Sequence, residues 1–352
     1  MKICVLAGGV GGARFLVGLL RELARRDPGA QVTVVGNTGD DITLFGLRVC
    51  PDLDTVMYTL GGGADLERGW GLSGETWAAK EELAAYGEQP DWFGLGDRDL
   101  ATHVVRTRLL REGVPLSRVT ARLCERWSPG VTLLPMSDDT IETWVDLADG
   151  RRVHFQEWWV RLHAAVPART ITAVGADRAV PAPGVVGAIA GADVVLFPPS
   201  NPVVSIGTVL AVPGIAAAVR ATAAPVVGVS PIVGGAPVRG MADACLDAIG
   251  VETSAGAVAV HYGARARAAD PTATGASAGG VLDGWLVDSR DAAELARVHA
   301  AGITGRAVPL MMTDPDATAA IAAAALDLAA ELAADPGPES RADLSTDRAE
   351  PA

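Results

Sequence analysis

The run Lys2–Ala7 (KICVLA) passes directly into Gly8–Arg14 (GGVGGAR), and this junction constrains the fold more than any other feature of the chain. A β-leaning apolar run can turn at once into a helix only if the residues between accept a sharp backbone path, which consecutive glycines do. Phe15–Arg26 follows with helical spacing, placing Phe15, Leu16, Leu19, Leu20 and Leu23 on one side. Gln31–Gly36 (QVTVVG) then reads as a second strand, closed by the polar turn Asn37–Asp41. Strand, loop, helix, strand opens a parallel α/β sheet, so the expected fold is Rossmann-like and three-layered. The same pattern resumes late in the chain. Asp193–Phe197, Pro225–Val229, Gly284–Val287 and Val308–Met312 read as strands, and Asp314–Ala334 as an Ala-rich closing helix.

The middle has a different texture. Trp77–Tyr86, Asp99–Glu112 and Pro115–Trp127 read as helices. Val131–Pro135, Thr143–Leu147 and Arg152–Trp159 read as strands, the last two joined across the hairpin signal Asp149-Gly150. The expected organisation is therefore an α/β core from residues 1–64 and 165–335, carrying a mostly helical insert with a small antiparallel cap over 65–164. Residues 336–352 are polar and aperiodic, and are expected to be a disordered tail.

A net charge of −13 argues against a nucleic-acid or anionic-membrane partner, because phosphate-rich surfaces need a positive field. A small anionic substrate is compatible only if a metal or local arginines reverse the sign at the site. Cys4, Cys50, Cys124 and Cys245 lack metal-ligand spacing and read as buried thiols in a reducing compartment. Met1–Leu6 runs straight into a core strand rather than into a leader pattern, and the apolar stretches are interrupted before about 18 residues. The cytoplasm is the expected location.

Chemistry-bearing residues gather where strands end, which is where open α/β sheets bind ligands. Gly9, Gly11 and Gly12 would present N–H groups at a helix N-terminus, with Arg14 as an added cation. The segment is neither a Walker A loop nor a strict GxGxxG. Asn37-Thr38-Gly39-Asp40-Asp41 and Pro51-Asp52-Leu53-Asp54-Thr55 form two acidic strand-end segments. Each alone reads equally as a turn or a helix cap. Together they suit a hard, oxygen-seeking cation such as Mg2+. Gly94-Leu95-Gly96-Asp97-Arg98-Asp99 offers close backbone approach and a fixed cation, with helix capping as the competing role, and His103 reads first as a packed helix histidine. Ser200, Asn201 and Ser205 follow the DVVLF strand, and Ser230 ends PVVGV; both loops suit phosphate or base recognition. In Phe155–Arg161, one tryptophan suits cap packing and another could stack on a planar ring.

GGVGGARFL, NTGDD, CPDLDTVMYTLGGG, GLGDRDLATH, LLPMSDD, HFQEWWVR, PPSNPVVSIG and VSPIVGG, in this order, resemble one family closely. It comprises the transferases that attach a phospho-three-carbon acid to the deazaflavin Fo in coenzyme F420 biosynthesis. The match extends from Lys2 to about Ala329. The resemblance implies a donor in which guanosine diphosphate is linked to 2-phospholactate or its enolpyruvyl analogue. GMP leaves as the terminal hydroxyl of Fo attacks phosphorus, and the enolpyruvyl donor is favoured by the FGLGDRDLATH and FQEWWVR stretches. The resemblance also implies Mg2+ on Asp40 and Asp54, Fo contacts from Asp54, Thr55, Gly94, Gly96, Asp97 and Arg98, and a homodimer. Gly9, Gly11, Gly12, Arg14, Asn37, Ser200, Asn201, Ser205 and Ser230 fall to the nucleotide side. Asp54 or Asp41 would accept the attacking hydroxyl's proton. Thr43, Phe45, Gly94 and Thr208 depart from residues common in the family.

A second expectation comes from a related bacterial group of the same fold that binds nucleotide sugars and acts in regulation. PDLDT, GLGDRDLATH and HFQEWWVR separate the two in favour of the transferase. A nicotinamide-dependent oxidoreductase fits less well, because its dinucleotide fingerprint and ribose-binding acid are missing.

Overall fold

Apolar runs pack into the middle of a sheet only if both faces are covered, and seven strands of four to six residues form such a sheet here, with the part-exposed Thr304–Val308 (TGRAV) at one edge. In sheet order they are Thr304–Val308, Gly284–Asp288, Val226–Val229, Val194–Phe197, Lys2–Ala7, Gln31–Gly36 and Thr132–Pro135, every neighbouring pair parallel. The computed structural model describes residues 1–65, 67–265 and 279–334, so the expected tail at 336–352 lies outside the described residues. Val194–Phe197 and Val226–Val229 are buried at every position, which accounts for their unbroken apolar sequences. One face of the sheet is covered by helices Gly9–Arg26, Pro51–Leu60 and Pro315–Ala334, through Phe15, Leu16, Leu19, Leu53, Met57, Ile321 and Leu326. The other is covered by Val185–Ala190, Ile215–Ala221 and Ala255–Tyr262, through Ile189, Val219 and Val258. The three-layer α/β architecture is as expected.

Four expectations need correcting. The strand expected at Val131–Pro135 was grouped with the insert, yet Thr132–Pro135 forms the edge of the main sheet, paired from Thr33–Thr132 to Gly36–Pro135. Leu133 points into one core and Leu134 packs on the other, a placement that needs a sheet covered on both faces. Pro135, which cannot donate to a ladder, is tolerated there because the strand is an edge. The last strand is Thr304–Val308 rather than Val308–Met312, because Pro309 stops it. The cap strand expected to reach Trp159 ends at His154, and Glu157–Arg161 winds as a π-helical turn. Trp158 is buried there with its indole N–H on the Val166 carbonyl at 2.8 Å. Its third strand, Ala168–Val174, pairs with Glu142–Leu147 on the side away from Arg152–His154.

The fourth concerns apolar length. Pro315–Ala334 is long and apolar enough, by length and composition, to cross a bilayer. Here it packs along the sheet as a core helix, burying Ala319, Ile321, Ala322, Ala325 and Leu328. Arg21 and Arg26 pair with its Asp316 and Asp327 at 2.7 and 2.6 Å.

The topology switches beside Lys2–Ala7, whose neighbours are Gln31–Gly36 on one side and Val194–Phe197 on the other. The crevice beyond the carboxyl ends of Lys2–Ala7 and Val194–Phe197 is therefore the expected ligand site. The two loops meet closely there. A Cβ on Gly11 would stand 2.4 Å from the Pro199 carbonyl oxygen, which leaves no room for one. Gly11→Ala is expected to destabilise the protein by about 1–3 kcal/mol through forced backbone shifts. A lowered urea midpoint at unchanged m-value is the measurement that checks it.

Candidate functional site

Over this crevice lies a cavity of about 500 Å3. Its floor is the N-terminal turn of Gly9–Arg26, which has no side-chain cap and no acidic residue in its first turn. The Asp52 carboxylate takes the Gly9 N–H at the start of this turn, and the remaining N–H groups, aligned with the helix dipole, favour an anion. The second wall is the start of Pro51–Leu60, from which Asp52, Asp54, Thr55 and Tyr58 face the cavity. Asp40, Gln156, Trp159, Asn201 and Ser205 continue the lining, and the insert supplies Trp70, Phe93, Gly94, Asp99 and His103. The loop Leu310–Thr313 and Ser230-Pro231 close the far side.

The acidic groups form two neighbourhoods. Asp40 and Asp52 are both buried, and burial together with the Asp52 charge drives the Asp40 carboxyl well above the usual range. Burial pushes Asp52 up to about 6, partly offset by N–H groups of Asn37 and Gly9. Asn37 Nδ2 donates to Asp52 Oδ2 at 2.9 Å and to the Val204 carbonyl at 3.2 Å, tying the acidic loop to the SNP loop. Gln156 Nε2 holds the Asp40 carbonyl at 3.1 Å.

The second neighbourhood centres on Asp54. Burial raises its carboxyl, and Arg106 and His103 pull it back. Arg106, 1% exposed, donates to Asp54 Oδ1 and lies 3.2 Å from His103 Nδ1. A guanidinium only donates, so Nδ1 can accept from Arg106 only in the tautomer with its proton on Nε2, the nitrogen 3.3 Å from Asp99 Oδ2. Tyr58 donates its hydroxyl to Asp99 Oδ1 at 2.5 Å.

Both neighbourhoods leave oxygens without partners. Asp40 Oδ1 and Asp54 Oδ2 are buried and make no hydrogen bond among the described residues. Buried carboxylate oxygens without donors cost free energy, and a divalent cation bound to oxygen removes that cost. Oxygen donors of this kind suit a hard metal, although no group of three ligand side chains that includes Asp40 lies within 4.8 Å of one another among the described residues. Asp54, Asp99 and His103 also offer ligand atoms within 4.8 Å of one another. There, however, Arg106 already supplies a positive charge.

Comparison with known proteins shows the family. The family model for 2-phospho-L-lactate transferase CofD matches residues 3–312. The chain belongs to the 2-phospho-L-lactate transferase family. Similar relatives include phosphoenolpyruvate transferases of Streptomyces coelicolor, 63% identical over 335 residues, and of Streptomyces avermitilis, 64% identical over 335. In each pair 94% of this chain and 99% of the relative are covered. The phosphoenolpyruvate transferase of Thermobifida fusca is 62% identical over 339 residues, 94% of this chain and 99% of that one. A Bacillus halodurans protein of the upf0052 family is similar in fold alone, at 17% identity and a TM-score of 0.58. It matches over 92% of this chain and 99% of its own.

With the family established, the expected site residues divide clearly. Asp40, Asp54, Thr55, Gly94, Gly9, Gly11, Arg14, Ser200, Asn201, Ser205 and Ser230 all line the one cavity. Several of them are also engaged structurally. Ser200 Oγ donates to the Gly8 carbonyl at 2.7 Å, Asn201 Oδ1 caps Val203 and Val204, and Ser230 Oγ turns onto Ile232. Asn37, Asp41, Gly12, Gly96, Asp97 and Arg98 do not line it. Asp41 is fully buried and 3.4 Å from Arg48, and burial pushes its carboxyl up to about 7. Gly12 and Gly96 sit under Ser200 and Glu75. Arg98 bonds to the Ser73 carbonyl.

Asp97 takes the capping role. Its carboxylate accepts from Ala78 and Ala79 N–H at 3.0 and 2.9 Å and from Thr76 Oγ1 at 2.5 Å, which holds its carboxyl below the usual range. It thus caps Ala78–Ala85 from outside, where Trp77 at the N-cap position cannot. Asp97→Ala is expected to lower the thermal midpoint by a few degrees (about 2–4 °C) while kcat stays unchanged. Calorimetry beside a turnover assay checks both halves. Sequence reasoning placed Asp52 and Asp99 in candidate segments without giving either a role, and missed Tyr58, Gln156 and Arg239 on the wall and Arg106 behind it.

Proposed function

We propose that the protein transfers the phosphoenolpyruvyl group from a guanosine diphosphate-linked donor to the terminal hydroxyl of Fo, releasing GMP. One observation carries this reading. Two acidic strand-end segments each leave an unpartnered buried carboxylate oxygen, Asp40 Oδ1 and Asp54 Oδ2, on residues lining the cavity that the N-terminus of Gly9–Arg26 also faces. That is the equipment for a diphosphate and its cation. The family and relatives' names point to the group transferred, and the enolpyruvyl form is preferred over the lactyl form.

Asp40 and Asp54 would hold Mg2+, with Asp52 beside them. When bound, the ion neutralises diphosphate charge and stabilises the charge that grows on the leaving group. The Gly9–Arg26 N-terminus and Arg14 bind the diphosphate, while Ser230, Pro231 and the Leu310–Thr313 loop line the nucleoside side. Trp70, Phe93 and Trp159 offer flat apolar surface for the deazaflavin ring, and Gly94 admits Trp70 because a Cβ there would stand 2.6 Å from its ring. The acceptor hydroxyl oxygen forms a bond to the phosphorus bearing the three-carbon acid. The bond from that phosphorus to the oxygen shared with GMP breaks, and GMP departs with the electron pair. The hydroxyl proton passes to Asp54 or Asp41; Asp54 lines the cavity, and Asp41, 3.4 Å from Arg48, does not. Positioning and charge neutralisation supply the catalysis, with no covalent enzyme intermediate.

Titrating the protein with Fo tests the acceptor half. Saturable quenching or a shift of Fo fluorescence is expected. Indifference to Fo combined with tight binding of a UDP-sugar would favour the regulatory reading instead.

A further inference from the structure

The cavity wall carries four carboxylates, from Asp40, Asp52, Asp54 and Asp99, but two arginines and no lysine. Neither Arg14 nor Arg239 pairs with a carboxylate among the described residues. In a chain of net charge −13, cations left free at a cavity are available to an anionic ligand. Their positions differ. Arg14 belongs to the helix whose N-terminus forms the floor, beside the expected diphosphate. Arg239 follows the hairpin Ile232–Val233 and Ala236–Pro237 on the nucleotide side, and reaches across to the insert. Its Nη2 donates to the Arg68 carbonyl at 2.8 Å, and its guanidinium fills the space over Gly69 where a Cβ would be 2.2 Å away. Gly240, next in the chain, lies under the Trp159 ring, where a Cβ would come within 2.8 Å.

Arg239 is thus the wall cation that touches both the nucleotide half and the acceptor half. The group that moves must lie at that junction. It alone carries a carboxylate, a charge absent from both GMP and Fo. One guanidinium nitrogen is tethered, which orients the planar fork and leaves its other N–H groups for a second acceptor.

We propose that Arg239 binds the carboxylate of the three-carbon acid and so selects donors that carry one. This rests on the donor reading given above. The test measures equilibrium binding of GMP, of the enolpyruvyl donor, and of the same donor with its carboxylate converted to the amide. Wild type, Arg239→Met and Arg239→Lys are compared, each with Mg2+; the side chain is exposed, so all three should fold, as a circular-dichroism melt will verify. Wild type is expected to prefer the carboxylate over the amide by about ten- to a hundredfold. Arg239→Met should lose that preference with GMP affinity unchanged, and Arg239→Lys should keep part of it. A preference that survives in Arg239→Met overturns the assignment. So does an equal weakening of GMP and both donors, which would make Arg239 a phosphate ligand or a brace. Failure of GMP to bind wild type strikes the donor reading itself, and this assignment with it.

Discussion

Asp40→Asn should lose transfer activity by about a hundred- to a thousandfold, the scale on which one preorganised electrostatic group matters, yet melt no lower than wild type. The two halves of that result have one cause. Burial and the neighbouring Asp52 charge make an ionised Asp40 unfavourable in the folded protein, so its conversion to a neutral amide removes repulsion along with function. The same physics gives the metal-free protein a distinctive pH dependence. Asp40, Asp41 and Asp52 all bind protons more tightly when folded than the ordinary carboxyl at about 4. Their contribution to stability is fully present below that unfolded value. It is lost as pH rises through about 6 for Asp52 and about 7 for Asp41. Carboxylates held low, such as Asp288 and Asp314, act oppositely and only in the acid limb. Urea midpoints between pH 4 and pH 8 should therefore fall without Mg2+ and flatten with it, and Asp40→Asn should show a shallower fall. A drop of several degrees in the melting temperature of Asp40→Asn would mean that Asp40 is structural.

Arg106→Met should do the reverse and destabilise the fold. The guanidinium is buried, bonds Asp54, contacts His103 and donates to the Arg48 carbonyl at 3.4 Å. Removing it leaves Asp54 as a buried charge without its partner, at a cost of about 3–5 kcal/mol. A fall in melting temperature of roughly 5–10 °C should follow. Arg106→Met combined with Asp54→Leu should recover most of that stability, because both charges then disappear together, while activity stays lost. A cost under about 1 kcal/mol for Arg106→Met alone would show that the pair is solvated and that the site is less rigid than its burial implies.

The central sheet was legible because its signals are local. KICVLA followed by glycines needs no distant contact to read as a strand and a helix start, and DVVLF and PVVGV announce burial on both faces. Thr132–Pro135 misled because its flanks are helical; only pairing with Gln31–Gly36, about a hundred residues away, assigns it to the core. In the site, adjacency was a poor guide to function. Asp40 faces the cavity and Asp41 faces Arg48, although they are neighbours in the chain. Asp97 and Arg98 looked like ligand contacts until their partners Thr76, Ala78 and Ser73 were known. One set, whose joint role was not read, had a readable signal. Asp99, His103 and Arg106 recur at four and three residues on one helix, and Tyr58 follows Asp54 by four on another, so each pair shares a face. Arg239 had none, since its meaning lies in the insert it touches.

The account turns on the transfer itself. Purified protein incubated with Fo, Mg2+ and each guanosine diphosphate-linked donor, followed by mass spectrometry, tests it most directly. The predicted result is Fo enlarged by one phosphoenolpyruvyl group, with GMP released one for one, only when Mg2+ is present and only weakly with Asp40→Asn. No adduct from either donor at saturating Mg2+, or an adduct formed equally well by Asp40→Asn, would contradict it.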